Sequence, residues 1–168
     1  MLRKIMRAGF VALALVAAAL GALVLRHGPA PAAGVLFSGA MIDRPTLAIF
    51  ERSCQNCHAE NTQWPWYSRI PPASWIIAKD VREARGHVNF SNWNSYSAEE
   101  QQDLLTRIGS VARAGRMPPS RYTFLHHEAI LTPDARQQIY EWCRAEKKRL
   151  YAIGGFTPDH RANPCNTA

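Results

Sequence analysis

The chain has 168 residues, with 20 basic and 13 acidic side chains and a formal net charge of +7. Arg3, Lys4, Arg7 and Arg26 stand in the first 33 positions and no acid does, so the remainder carries only 16 basic against 13 acidic side chains. That balance, with no Lys/Arg run interleaved with aromatics, speaks against nucleic acid as a partner, and about 135 residues suffice for one domain with one core.

In chain order, Arg3, Lys4 and Arg7 precede an uninterrupted apolar run from Ala8 to Leu25. A charged flank before such a run marks residues 1–27 as an export signal or a membrane anchor, with everything after Arg26 on the far side of the membrane. Ala30-Pro31-Ala32 offers a small-x-small cleavage site, but Arg26 and His27 interrupt the approach to it and the run is longer than most signal cores, which favours a retained anchor. The expected location is the periplasmic side of the inner membrane, or the free periplasm if the segment is removed. Residues 28–44, opening on the Pro- and Ala-rich stretch Gly28 to Gly34, are expected to be a linker to a domain over 45–150, with 151–168 as a C-terminal tail.

Helical signals dominate the domain. Leu47, Ile49, Phe50, Cys54 and Cys57 recur at helical spacing over 46–57, and Ser74 with Trp75, Ile76, Ile77 and Val81 suggests a short helix after Pro71-Pro72. Ser97-Ala98-Glu99-Glu100 has the form of a capping box ahead of Leu104, Leu105, Ile108 and Val111. Thr132-Pro133 opens a last helix whose stripe is Ile139, Trp142, Cys143 and Leu150. Stretches 59–73, 86–96 and 116–131 are expected as ordered loops, and no strand signal competes. The fold class expected is all-α.

The chemistry centres on Cys54-Gln55-Asn56-Cys57-His58. Two thiols on one helical turn can each form a thioether with a haem vinyl group, and the adjacent imidazole then serves as the proximal iron ligand. One covalent haem c is the cofactor this implies. The same cysteines could instead belong to a zinc site or a redox dithiol. Trp64, Trp66, Tyr67, Trp75, Phe90 and Trp93 are expected to pack on the flat macrocycle. Met117, after Gly115-Arg116 and before Pro118-Pro119, is the expected distal ligand because a thioether suits haem iron; His87, His126 and His127 compete for that position. A carbonyl of Pro71 or Pro72 is the expected acceptor for the other His58 nitrogen. Arg69, Arg82, Arg85, Arg113 and Arg116 are all available for propionates. Cys143 and Cys165 are expected to pair, since leftover thiols in an oxidising compartment tend to do so.

Together with the Cys-x-x-Cys-His unit, Asn61-Thr62-Gln63-Trp64-Pro65-Trp66-Tyr67-Ser68, Pro72-Ala73-Ser74-Trp75, Val88-Asn89-Phe90-Ser91-Asn92-Trp93, Met117-Pro118-Pro119, Tyr122 and His126 resemble the bacterial haem-binding domain family. The resemblance covers roughly residues 45 to 148. It implies a cytochrome c-like haem domain behind a single N-terminal membrane segment, with covalent haem. Ala84 departs from the pattern, where glycine is expected before Arg85. The resemblance does not define a reaction; from the axial ligands, the expected function is a c-type cytochrome carrying electrons between redox partner proteins, with the N-terminal segment in the membrane. The alternative is a haem-based sensor or peroxidase-like protein with a displaceable distal ligand. No acid–base pair or nucleophile constellation supports an enzyme.

Overall fold

The computed structural model describes residues 10–16 and 35–154, and among them the chain is helical with no strand. Residues 10–16 are helical. The rest of the Ala8 to Leu25 run, the cleavage site and Cys165 lie outside the described residues, among which no helix is long and apolar enough to cross a membrane. From residue 44 the helices are α1 (Arg44–Ser53), α2 (Gln55–His58), α3 (Ala73–His87), α4 (Ala98–Arg113), α5 (Ser120–Thr123) and α6 (Pro133–Ile153). Short 3₁₀ turns at Trp66–Arg69, Phe90–Ser95 and His127–Ala129 give the three connecting loops local structure.

Local chemistry sets the helix starts. Asp43 caps α1 by accepting the Thr46 N–H at 2.8 Å, Ser97 and Glu100 complete a capping box on α4, and Thr132 accepts from Ala135 ahead of Pro133 on α6. Each cap satisfies backbone donors that the first helical turn leaves without partners. α3 is longer than the short helix expected there, running 15 residues through Gly86. Ala84 lies inside it and its carbonyl takes the Val88 N–H at 3.0 Å, so the departure from glycine leaves this turn helical.

α4 and α6 pack antiparallel. Lys147 Nζ donates to Thr106 at 2.8 Å, and Arg113 lies over the Tyr140 ring at 4.4 Å. Between these two contacts Gly109 lets the helices approach closely, since a Cβ there would stand 3.3 Å from that of Cys143.

The linker expected over 28–44 does not extend through its second half. Leu36 and Phe37 are buried, and the Phe37 ring sits amid Phe90 (4.5 Å), Phe50 (4.7 Å), Trp142 (5.0 Å) and Trp93 (5.1 Å). Phe37 holds this place with a left-handed φ of 53°, a conformation that costs a side-chain-bearing residue about 1–2 kcal/mol and persists where packing over-determines it. Its N–H donates to Phe90 O at 3.0 Å, and Trp142 Nε1 donates to Met41 O at 2.8 Å. The segment before α1 is therefore part of the core.

Candidate functional site

A cavity of about 470 Å³ lies between the end of α1, α2, the Val88–Phe90 turn, α4 and residues 116–119 and 122, within the size range of small-molecule and cofactor sites. Cys54, Cys57, His58 and Met117 all line it. Its apolar wall comes from Phe50 of α1, Phe90, and Leu104, Ile108 and Val111 of α4. The helical stripes of α1 and α4 thus supply the lining, while α2 and the 116–119 loop bring the residues with chemistry.

α2 presents the two thiols. Cys54 faces the apolar cavity, and that desolvation pushes its thiol up to about 12. Desolvation first, then the Asp80 carboxylate, raises Cys57 as well. Among the described residues no three His, Cys, Asp or Glu side chains converge as a metal set.

His58 Nδ1 lies 3.1 Å from Val88 O. This corrects the expectation that Pro71 or Pro72 supplies the acceptor; the close packing of α2 on the end of α3 places the Val88 carbonyl there instead. Burial, partly offset by that bond, keeps the His58 pKa below the usual imidazole value, so the ring is neutral. Nδ1–H donates to the carbonyl, and Nε2 is the nitrogen left for a ligand bond.

The turn holding Val88 and α2 together was only partly visible in sequence. Arg85 donates to Ala59 O through Nη2 at 2.7 Å and Nε at 3.2 Å, to Thr62 Oγ1 at 2.9 Å, and pairs with Glu60 at 2.9 Å. It is a clamp on the chain just after His58, not a propionate partner. Asn89 reinforces it by donating to Glu60 at 2.6 Å. Arg113 is taken by Tyr140. Of the arginines weighed from sequence, Arg116 lines the cavity; Arg107, which helical phase on α4 could have singled out, joins it.

The aromatics are placed differently from expectation. Phe90 lines the cavity, but Trp93 is fully buried behind Phe37, and Trp64, Trp66 and Trp75 are exposed, Trp66 to 75%. Loop aromatics here pack on protein or face solvent because the helix stripes already form the cavity wall.

Met117 is half-exposed, at 40%, on a loop that turns at Gly115, where φ is 66°. His87 also lines the cavity. His126 has both ring nitrogens engaged, Nε2 with Tyr67 Oη at 2.6 Å and Nδ1 with Glu128 at 2.9 Å. Its ring stacks on Tyr122 outside the cavity. Cys143 is buried against Gly109, with its thiol pushed up to about 12 by burial.

These residues fit a haem. The cavity is largely apolar, a neutral imidazole reaches it with one nitrogen already oriented, and the Ser53 hydroxyl in its wall is buried without a partner. The model of a family described as a haem-binding domain matches residues 37–145. A cytochrome c peroxidase from Escherichia coli strain K12 is 27% identical over 117 residues, covering 68% of this chain and 25% of the peroxidase. The chain thus spans about a quarter of the length of that relative. No solved structure matches the chain.

Proposed function

The chain belongs to the haem-binding domain family, and from that premise we propose that it is a c-type cytochrome that carries electrons, exported or anchored by its N-terminal segment on the periplasmic side of the inner membrane. The observation that carries this reading is the convergence of Cys54, Cys57, His58 and Met117 on one apolar cavity.

In this reading Cys54 and Cys57 would hold one haem by thioethers, and His58 Nε2 and the Met117 sulfur would be the ligands to its iron. The haem supplies an iron that changes oxidation state by one electron. The Val88 carbonyl fixes the His58 ring and strengthens it as a donor. As a ligand Met117 would favour the ferrous form and so raise the potential relative to two imidazoles. The apolar wall from α1 and α4 excludes water, and Arg107 and Arg116 suit the cofactor's carboxylates through charge-assisted bonds.

The test is a visible spectrum of the purified protein in both oxidation states, with and without carbon monoxide, and extraction into acidified organic solvent. Haem should stay on the polypeptide, and the reduced form should bind carbon monoxide slowly if at all. Freely extracted haem would remove the covalent reading. Rapid carbon monoxide binding would instead favour a sensor or peroxidase-like role with a displaceable Met117.

A further inference from the structure

Tyr67, His126 and Glu128 form a hydrogen-bonded series beside the cavity that cofactor binding leaves unused. Glu128 lies 2.9 Å from His126 Nδ1, and its carboxyl is held below the usual range first by a backbone hydrogen bond and then by His126. An ionised carboxylate only accepts, so in the neutral ring the proton sits on Nδ1 and Nε2 keeps its lone pair. Tyr67 Oη, 2.6 Å from Nε2, is therefore the donor.

The series connects inward and outward. The His126 ring stacks on Tyr122 with centroids 4.4 Å apart and planes inclined by 18°, and Tyr122 lines the cavity. On the other side Trp66 meets Tyr67 edge-on at 5.8 Å and is 75% exposed. Aromatic rings thus make a contiguous path from the cavity wall to the surface.

We propose that Tyr67 is a redox-active tyrosine, which loses one electron to a strong one-electron oxidant while its phenolic proton passes to Nε2 of His126. The O–H bond breaks and an N–H bond forms. Tyr67 becomes a neutral phenoxyl radical, the oxidant is reduced by one electron, and the new imidazolium charge lies against Glu128. Re-reduction returns the proton. The site would let a missing electron move between the cavity and the Trp66 surface in the peroxidase-like alternative, where the bound haem would supply the strong oxidant that an electron carrier does not. That biological role rests on the haem-binding reading, whereas the chemistry of the triad does not.

The other four of the five tyrosines lack this arrangement. Tyr122 accepts from Asn56 at 2.9 Å and Tyr96 from the Asn89 N–H at 3.0 Å, with no base at either hydroxyl among the described residues. Tyr140 lies under Arg113 at 4.4 Å, and Tyr151 has Lys147 over its ring at 5.8 Å; a nearby cation opposes loss of an electron. The Tyr67 phenol is itself pushed up, by desolvation first and then by Glu128, so its proton leaves with the electron and not ahead of it.

A loop pin would need only a hydrogen bond, which glutamine at 126 can supply; a proton acceptor must be a base. The test oxidises the full-length, haem-loaded protein with photogenerated tris(bipyridine)ruthenium(III) and traps radicals for electron paramagnetic resonance. The wild type should give a tyrosyl signal that narrows with deuterated tyrosine. Its yield should fall by about tenfold or more in Tyr67→Phe and in His126→Gln, the general-base contribution being large, and persist in Tyr122→Phe. Fluorotyrosine placed at 67 should add fluorine splitting to the signal without relying on a substitution that disturbs the loop. A wild-type yield in His126→Gln, or a signal without fluorine splitting, would overturn the proposal. Loss of haem would show separately in the absorption spectrum, and the photo-oxidant acts without it.

Discussion

Behind His58 the side chains are aromatic, buried and packed on one another, with Phe37 1% and Trp93 0% exposed, whereas around Met117 they face solvent, with Phe124 75% and Leu125 59% exposed. The first region is held by area removed from water, the second by a handful of polar bonds such as Arg121 to Asp80 at 2.9 Å and Tyr67 to His126. Packing of the first kind resists displacement, since every shift opens a void. Polar tethers at a surface open at lower cost. A cavity built this way keeps one wall fixed while the other can yield.

Breaking the fixed wall should have the largest effect. Phe37→Ala removes the ring at the centre of four aromatic neighbours and should cost about 3–5 kcal/mol in denaturant unfolding. A loss under about 1 kcal/mol would mean the site collapses around the gap and that the wall is less rigid than argued.

The clamp that ties α3 to the chain just after His58 comes next. Arg85→Met keeps length but leaves Ala59 O, which is fully buried, and Glu60 without their cationic partner. The expected loss is about 2–3 kcal/mol, because bonds to a charged group are the stronger ones. Arg85→Lys should recover only part of it, having no planar fork to serve Ala59, Thr62 and Glu60 together.

The yielding wall should respond more mildly. Gly115→Ala would place a Cβ 2.6 Å from Arg136 Nη1 at a left-handed φ, for about 1–2 kcal/mol in stability. Its sharper readout is faster carbon monoxide binding through a loosened Met117 loop. An unchanged binding rate would show that the loop is set by Pro118-Pro119 alone.

Asp43→Ala marks the small end, at about 1 kcal/mol for a lost helix cap. The Thr46 N–H and then its hydroxyl hold the Asp43 carboxyl below its ordinary 3.8. Its contribution is therefore present above about pH 3.8 and is lost as pH falls through the lower folded value. The variant and the wild type should converge in stability under acid, by thermal melts across pH.

Helix starts were readable in sequence because caps are local: Ser97 with Glu100, and Thr132 with Pro133, act within one turn. The Cys54–His58 turn was readable for the same reason. The His58 acceptor was not, since Val88 is 30 residues away and meets the ring only after α3 packs on α2. Phe37 was also illegible, because a lone aromatic before a cap carries no period and its burial depends on four partners between Phe50 and Trp142. Proline-based reasoning failed at 71–72 where the helix that follows, not the proline pair, carries the chain to His58.

Asn56, between the two cysteines, has a consequence for how this domain breathes. Its amide donates to Tyr122 Oη at 2.9 Å, its side-chain oxygen takes the Gln63 N–H at 3.1 Å, and its carbonyl takes the Thr62 hydroxyl at 2.7 Å. A nominal spacer residue thus ties three segments into one opening unit. Amide hydrogens of 54–58, 62–63 and 120–123 should exchange with solvent at a shared rate, slower than those of exposed helix ends, and Asn56→Ala should split that common rate into separate ones.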